Sequence, residues 1–167
     1  MFTTAVASKP HSLQPQISPS AELQLLDIFI GKWHIEGLSY GSGQSKENPH
    51  DSSVRWIGAE TYEWLPGGFF LVNHFDAKIG NTAISGIEMV GYDAVSQSYP
   101  SQLFDSYGRI LSGQRRIHDG VWSSSIGTEY RTTYAFRNEG NTLTSCWEWS
   151  DGDDWFVLAD LEATKVN

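Results

Sequence analysis

The chain has 167 residues and a formal net charge of −9 at pH 7, with 11 Lys and Arg against 20 Asp and Glu. Such an acidic chain repels phosphate backbones and anionic membrane surfaces, and no basic cluster offsets the excess, so we expect no nucleic-acid partner. No apolar run approaches the roughly 18 residues that a membrane-spanning helix needs, so we also expect no membrane partner.

The chain begins with a polar segment, and a short apolar helix follows. Residues 1–17 are rich in Ser, Thr, Gln and Pro and have little apolar surface to bury, so we expect a disordered tail there. Ser18 followed by Pro19 predicts a helix start, because Ser favours the N-cap and Pro the first turn. Apolar residues then recur at helical spacing until Gly31, which predicts an apolar helix over residues 21–30 that packs against the rest of the protein.

From Gly31 onward, short strand-like runs alternate with turns rich in Gly, Asn and Asp. The Asp119-Gly120 pair between two such runs is a strong hairpin signal. The predicted strands cover residues 32–40, 54–65, 69–77, 83–92, 101–107, 109–118, 121–126, 129–137, 142–149 and 155–164.

This succession of strands predicts an all-β fold. No helix is long enough for a crossover, and parallel pairing needs crossovers, so the sheet should be antiparallel. Open edges of a large sheet invite aggregation, which favours closure or two packed layers. We therefore predict one domain over residues 18–167, an antiparallel up-and-down β-barrel of about ten strands with helix 21–30 closing one end. A β-sandwich is the alternative.

Five short motifs occur in order along the chain, namely Gly31-x-Trp33, ETYEWLPGG at residues 60–68, GIEMVGYD at residues 86–93, Phe104-Asp105 and Trp147-x-Trp149. The first, after a helix, resembles the opening of the calycins, the superfamily of lipocalins and fatty-acid-binding proteins, in which the Trp packs across the closed end of the barrel. The later motifs resemble more closely an uncharacterised calycin-like family, domain of unknown function 1579. The likeness covers about residues 21–166 and implies a lipocalin-like barrel without a settled activity.

Signals for cofactors and metals are missing. One branch of the calycins binds haem through a His on a late strand, whereas the predicted strands 142–149 and 155–164 contain no His. The His residues of the chain show no metal-ligand spacing. We therefore expect no cofactor and no metal.

The compartment is suggested by a single thiol. Cys146 cannot form an internal disulfide, which favours a reducing environment. Because the start of the chain also lacks the cationic region of a secretory signal, we expect a cytoplasmic location.

His74 is the first candidate for a ligand contact. It lies two residues before Asp76, and therefore on the same face of a predicted strand. An imidazole beside a carboxylate can act as a general base or donate to a ligand. The alternative is a structural or solvent-facing His.

Glu88 and Arg115 are candidates that depend on which face of their strands points inward. An inward Glu88 would be a buried carboxyl that needs a partner or a raised pKa, and its strand pattern leaves both orientations open. Arg115 and Arg116 are adjacent, so one of them faces each side of the sheet. Such an Arg could pair with Glu88, with Asp105 or with a ligand carboxylate, as in calycins that bind carboxylic acids, and a surface ion pair is the alternative.

Trp56, Tyr62 and Trp64 share one face of the second predicted strand with Gly58 and Glu60. This aromatic stripe predicts either a wall of a ligand site or a part of the core against the helix.

Taken together, these patterns favour a binding protein over an enzyme. We expect the barrel to hold a small apolar ligand, aromatic or bearing a carboxylate that pairs with an Arg. His74, Glu88 and an Arg are the residues expected to orient this ligand. The alternative is a cofactor-free isomerase, cyclase or hydrolase that uses His74 with Asp76, Glu88 or Asp105. A third interpretation is a solid barrel whose surface does the work, and a homodimer is compatible with the sequence.

Overall fold

A computed structural model of the protein describes residues 18–41, 47–50 and 52–166. The tail predicted for residues 1–17 lies outside the described residues. No helix within those ranges is long and apolar enough to cross a membrane. The elements, with strands numbered in chain order, are α1 Ala21–Gln24, a 3₁₀ turn Leu25–Phe29, β1 Gly31–Ser39, β2 Val54–Trp64, β3 Leu71–Ile79, β4 Thr82–Val90, β5 Tyr99–Asp105, β6 Ile110–His118, β7 Val121–Ile126, β8 Tyr130–Arg137, a 3₁₀ turn Asn138–Gly140, β9 Thr142–Ser150 and β10 Trp155–Val166.

Over the described part of the chain, ten antiparallel strands form a closed barrel. Each strand pairs with the next one in the sequence, and β1 also pairs with β10. This confirms the predicted up-and-down barrel and excludes the sandwich. The hairpin predicted at Asp119-Gly120 joins β6 to β7, and both residues have positive φ, 49° and 78°, as a tight I′ turn requires.

The helical segment plugs one end of the barrel. It changes from an α-turn to a 3₁₀ turn after Gln24, whereas the sequence predicted one regular helix. The reason lies in the spacing of Leu23, Leu26 and Phe29, because the 3₁₀ repeat of about three residues places all three on one face. They are 5%, 0% and 0% exposed. The helix begins at Ala21, as predicted, although Ser20 and not Ser18 occupies the N-cap position.

Three strand side chains hold the plug by hydrogen bonds. Trp33 Nε1 donates to the Phe29 carbonyl at 2.7 Å, and Trp64 Nε1 donates to Asp27 Oδ1 at 2.8 Å. The Tyr99 hydroxyl donates to the carbonyl of Glu22 at 2.9 Å. Trp33 is 2% exposed, so it belongs to the closed end, as its place after Gly31 predicted.

Candidate functional site

The strand register determines which side chains face the lumen, because residues paired directly across antiparallel strands point to the same side. Trp33 of β1 is buried inside the barrel, and it pairs with Glu60 on β2, so Glu60 also faces inward. Tyr62 lies two residues after Glu60 on the same face of β2, and it pairs with Asn73 on β3. Asn73 in turn pairs with Glu88 on β4. The same relation places the inward face of β5, β6, β7 and β8.

The inward side chains are buried more completely at the helix than at the other end of the barrel. Inward side chains near the helix, such as Tyr62, Leu71 and Trp122, are at most 6% exposed. Those farther from the helix remain partly exposed although they face inward. They include Trp56, Phe75, Leu103, Ile126, Tyr130 and Trp147. Solvent therefore reaches these side chains at the end opposite the helix, where the Trp56 and Trp147 rings contact each other with centroids 6.5 Å apart.

Polar side chains gather inside the barrel next to the Phe29 ring of the plug. We call this set the lumen polar cluster, and it comprises Glu60, Tyr62, Asn73, Glu88, Arg115, Ser124 and Tyr134.

Arg115 lies at the centre of the lumen polar cluster. Its guanidinium donates from Nη2 to the Glu88 carboxylate, and the two side chains are only 3% and 13% exposed. Its Cζ lies 4.9 Å from the ring centroid of Phe29, 5.6 Å from that of Tyr62 and 5.9 Å from that of Tyr134. The cation is thus surrounded by aromatic faces that stabilise it away from water.

Two members of the cluster keep buried polar atoms without a partner. Arg115 Nε and Nη1, and Asn73 Oδ1, have no described hydrogen-bond partner with good geometry, although the Tyr62 hydroxyl lies close enough to the guanidinium to favour its charged form. Both residues are almost completely buried, at 2% and 4% exposure. Since buried polar groups are nearly always hydrogen-bonded, these unpaired donors and this unpaired acceptor set Arg115 and Asn73 apart from the other buried polar side chains of the described barrel.

Burial also shifts the titration of the cluster. It raises the pKa of Glu60, and the nearby Tyr62 hydroxyl and Arg115 guanidinium offset this rise only in part. It likewise raises the pKa of Tyr62 and Tyr134. Burial by itself lowers the pKa of Arg115, but the Glu88 carboxylate and the Tyr62 and Tyr134 hydroxyls together outweigh it and hold that pKa above its ordinary value. The cluster therefore keeps its guanidinium charged and its phenols neutral.

The structure does not bring His74 into the lumen. Its side chain is 54% exposed on the outer surface, where Nε2 lies 3.7 Å from Glu63 Oε1. Asp76, on the same face, is also exposed. A ligand inside the barrel cannot reach them, so the alternative of an enzyme that uses His74 as its base loses the convergence it needs.

Asp105 organises a turn instead of the cluster. Its carboxylate accepts hydrogen bonds from the backbone N–H groups of Tyr107 and Arg109 at 2.9 and 3.1 Å and from Arg109 Nε at 2.6 Å. Burial of the carboxyl works against them, but these bonds hold the pKa of Asp105 below its ordinary value. Asp105 is thereby committed to the β5–β6 turn.

The aromatic stripe of β2 divides between three roles. Trp56 faces inward at the end opposite the helix, and Tyr62 belongs to the lumen polar cluster. Trp64 is bonded to the helix. Tyr62 and Trp64 thus form core against the helix, one of the two interpretations of the sequence pattern, and a ligand wall at Trp56 stays a prediction.

Sequence reasoning missed Glu60, Asn73 and Tyr134 as site residues. Asn73 carried the clearest signal, because it is the one polar residue between Leu71 and Phe75 on its face of β3. A polar side chain within an apolar, buried face needs a hydrogen-bond partner inside the protein, and this need could have identified Asn73 as a candidate site residue.

The comparisons with known proteins agree with this architecture. The profile of a family described as "Protein of unknown function (DUF1579)" matches residues 18–156. The chain belongs to this family. The DUF1579 match confirms the resemblance read from the motifs at residues 60–68 and 86–93. A search of curated proteins found no match.

Among solved structures, this DUF1579 chain is similar to the S-type phycobiliprotein lyase CPES from Guillardia theta. The sequences are 8% identical, the TM-score is 0.58, and the match covers 86% of this chain and 92% of that one. At this identity the likeness shows the fold alone, and it agrees with a calycin-like barrel.

Proposed function

We propose that the barrel binds a small, largely apolar or aromatic molecule in its lumen and that Arg115 receives an acidic or strongly hydrogen-bond-accepting group of that molecule. The observation that carries this proposal is the buried guanidinium with Nε and Nη1 unpartnered among the described residues. Arg presents five donors in a planar fork that matches a carboxylate. Leaving a buried donor unpaired costs about 1–3 kcal/mol, which a ligand acceptor would recover.

The walls support an apolar ligand body. The partly exposed Trp56, Leu103, Tyr130 and Trp147 face inward on four different strands. Contact with a flat apolar molecule would remove this surface from water, and burial of apolar surface is the usual source of affinity in preformed sites. The similar fold of the phycobiliprotein lyase is consistent with a barrel that receives a ligand.

The proposal is tested with two fluorescent probes that share one aromatic body, 1-pyrenebutyric acid and 1-pyrenebutanol. Removing the charge-assisted hydrogen bonds of Arg115 with Arg115→Gln should weaken binding of the acid by about 10- to 100-fold, since such bonds contribute about 1.5–3 kcal/mol. The affinity for the alcohol should fall much less, because the alcohol carries no charge. Fluorescence titration measures both affinities, and the double variant Arg115→Gln with Glu88→Gln avoids leaving the Glu88 carboxylate unpaired.

The adjacent Arg116 provides the matched control. It is exposed on the outer face and its guanidinium donates to Gln114 Oε1 at 2.8 and 3.1 Å. Arg116→Gln should leave both titrations unchanged. Equal losses in the two single variants, or no selective loss of the acid with Arg115→Gln, would contradict the proposal. Native mass spectrometry of protein purified from its own host would then identify the natural ligand.

A further inference from the structure

The lumen polar cluster contains more acid than base. Glu60, Glu88 and Arg115 enter it from β2, β4 and β6. Glu88 already forms an ion pair with Arg115, whereas Glu60 forms no ion pair with a described residue. With both carboxyls ionised, the cluster would hold two negative charges against one positive charge.

An acidic ligand makes this imbalance worse. Its carboxylate would be a third anion beside the single Arg115 guanidinium, in a part of the lumen where Arg115 is 2% exposed. A buried charge without compensation is strongly disfavoured, and a group that can take up a proton does so instead. Glu88 is already paired with Arg115, so Glu60 is the carboxyl available for the proton.

We propose that Glu60 holds a proton whenever an acidic ligand occupies the lumen, so that such a ligand binds together with one proton. This inference rests on the proposed function, because it describes the same site with its ligand in place. Burial raises the pKa of Glu60 in the ligand-free protein, in the direction that the charge balance requires.

This balance takes in the titratable groups that face Glu60 from the described strands. Its partner on β1 is Trp33, which does not titrate. The titratable or polar groups from the strands around it are Tyr62 on β2, Asn73 on β3, Glu88 on β4, Arg115 on β6 and Tyr134 on β8. Burial raises the pKa of both tyrosines, so their phenols stay neutral, and Glu60 is the carboxyl of this set whose pKa burial raises.

The inference predicts how affinity depends on pH. Below the pKa of Glu60 in the folded protein the proton is already bound, and the affinity for a carboxylate ligand is constant. Above that pKa, Glu60 is ionised in the ligand-free protein and must take up a proton when the ligand binds, so the affinity falls by up to about tenfold per pH unit. A neutral ligand brings no charge, and its affinity should not follow this dependence.

The experiment is isothermal titration calorimetry of 1-pyrenebutyric acid from about pH 6 to about pH 9, a range in which an ordinary carboxyl stays ionised. Two buffers with different ionisation enthalpies report the protons taken up. The natural chain should approach one proton per ligand at the upper end of the range. Glu60→Gln should take up none and keep a constant affinity, whereas Glu63→Gln, at an outward side chain that is 63% exposed, should behave as the natural chain does.

A measurement without ligand keeps the two proposals separable. In the natural protein, ionising Glu60 costs folding free energy as pH rises, because the folded state binds more protons than the unfolded state. Urea unfolding should therefore show that Glu60→Gln gains stability relative to the natural chain with increasing pH, and that Glu63→Gln does not.

Two results would overturn the inference and leave the proposed function standing. One is a stability difference between Glu60→Gln and the unsubstituted protein that stays constant with pH, and the other is binding that depends on Arg115 but takes up no proton. Binding of the acid that is indifferent to Arg115→Gln would remove the proposed function. The pH trend of Glu60→Gln without ligand would then still report on Glu60 itself.

Discussion

At the scale of single residues, Arg115 and Glu88 depend on one another. Their side chains are 3% and 13% exposed, so water screens neither charge. Burying two charges costs free energy that only their mutual contact and hydrogen bonds offset. Loss of one partner should therefore be felt far more strongly than loss of a surface ion pair.

Glu88→Ala should lower the free energy of unfolding by about 3–5 kcal/mol, because it leaves the Arg115 charge buried and uncompensated. The exposed pair of Arg55 and Glu36, with side chains 68% and 59% exposed, supplies the comparison. Glu36→Ala should cost about 0–1 kcal/mol. Urea unfolding measures both, and similar losses in the two variants would show that Arg115 is solvated instead of buried.

The residues also show what the sequence could and could not predict about the site. The adjacency of Arg115 and Arg116 required one Arg to face inward, and this prediction needed no structure. Choosing between them, or between His74 and Asn73 on β3, needed the register. Both faces of that strand carry apolar residues, Val72 on one and Leu71 on the other, so the sequence pattern could not distinguish lumen from surface.

At the scale of elements, the helical segment is a part of the core. Phe29 is fully buried, and its ring contacts those of Tyr62, Trp122, Tyr134 and Phe136 at centroid distances of 5.1–5.9 Å. Arg115 lies on the same ring. The plug therefore supports the floor of the lumen as well as closing the end of the barrel.

Phe29→Ala should lower the free energy of unfolding by about 3–5 kcal/mol, the usual cost of removing a buried aromatic ring. Leu25 belongs to the same 3₁₀ turn but is 47% exposed, and Leu25→Ala should change stability by only about 0.5 kcal/mol. Thermal or urea unfolding gives the comparison. If both variants lose little, the helical segment is not part of the cooperative core.

All ten strands were predicted from local signals, because alternation and turn residues act over a few positions. The change from α to 3₁₀ geometry after Gln24 was not, since it depends on the barrel end into which Leu26 and Phe29 must fit. The strands could thus be predicted from residues that are neighbours in the sequence. The site was not, because the lumen polar cluster unites residues from six strands.

At the scale of the whole molecule, closure leaves no free sheet edge in the described barrel. Lys32 on β1 pairs with Val166 on β10, and the ladder continues to Ser39 opposite Ala159. Edge strands normally exchange amide hydrogens fast, whereas strands paired on both sides are protected.

Hydrogen exchange followed by mass spectrometry should therefore show β1 and β10 protected to the same degree as β5 and β6. The exposed turn at Asp119-Gly120 should exchange quickly and serves as the internal reference. Rapid exchange confined to β1 and β10 would mean that the barrel opens along that seam in solution.

The seam between β1 and β10 also has a consequence for biosynthesis. β10 is the last of the described strands to leave the ribosome, yet its partner β1 is the first. Until β10 emerges, the nascent chain can form only an open sheet with two unpaired edges, the state in which aggregation competes best with folding. The interior is therefore created in a single late step, and a ligand has no lumen to enter until translation has passed β10.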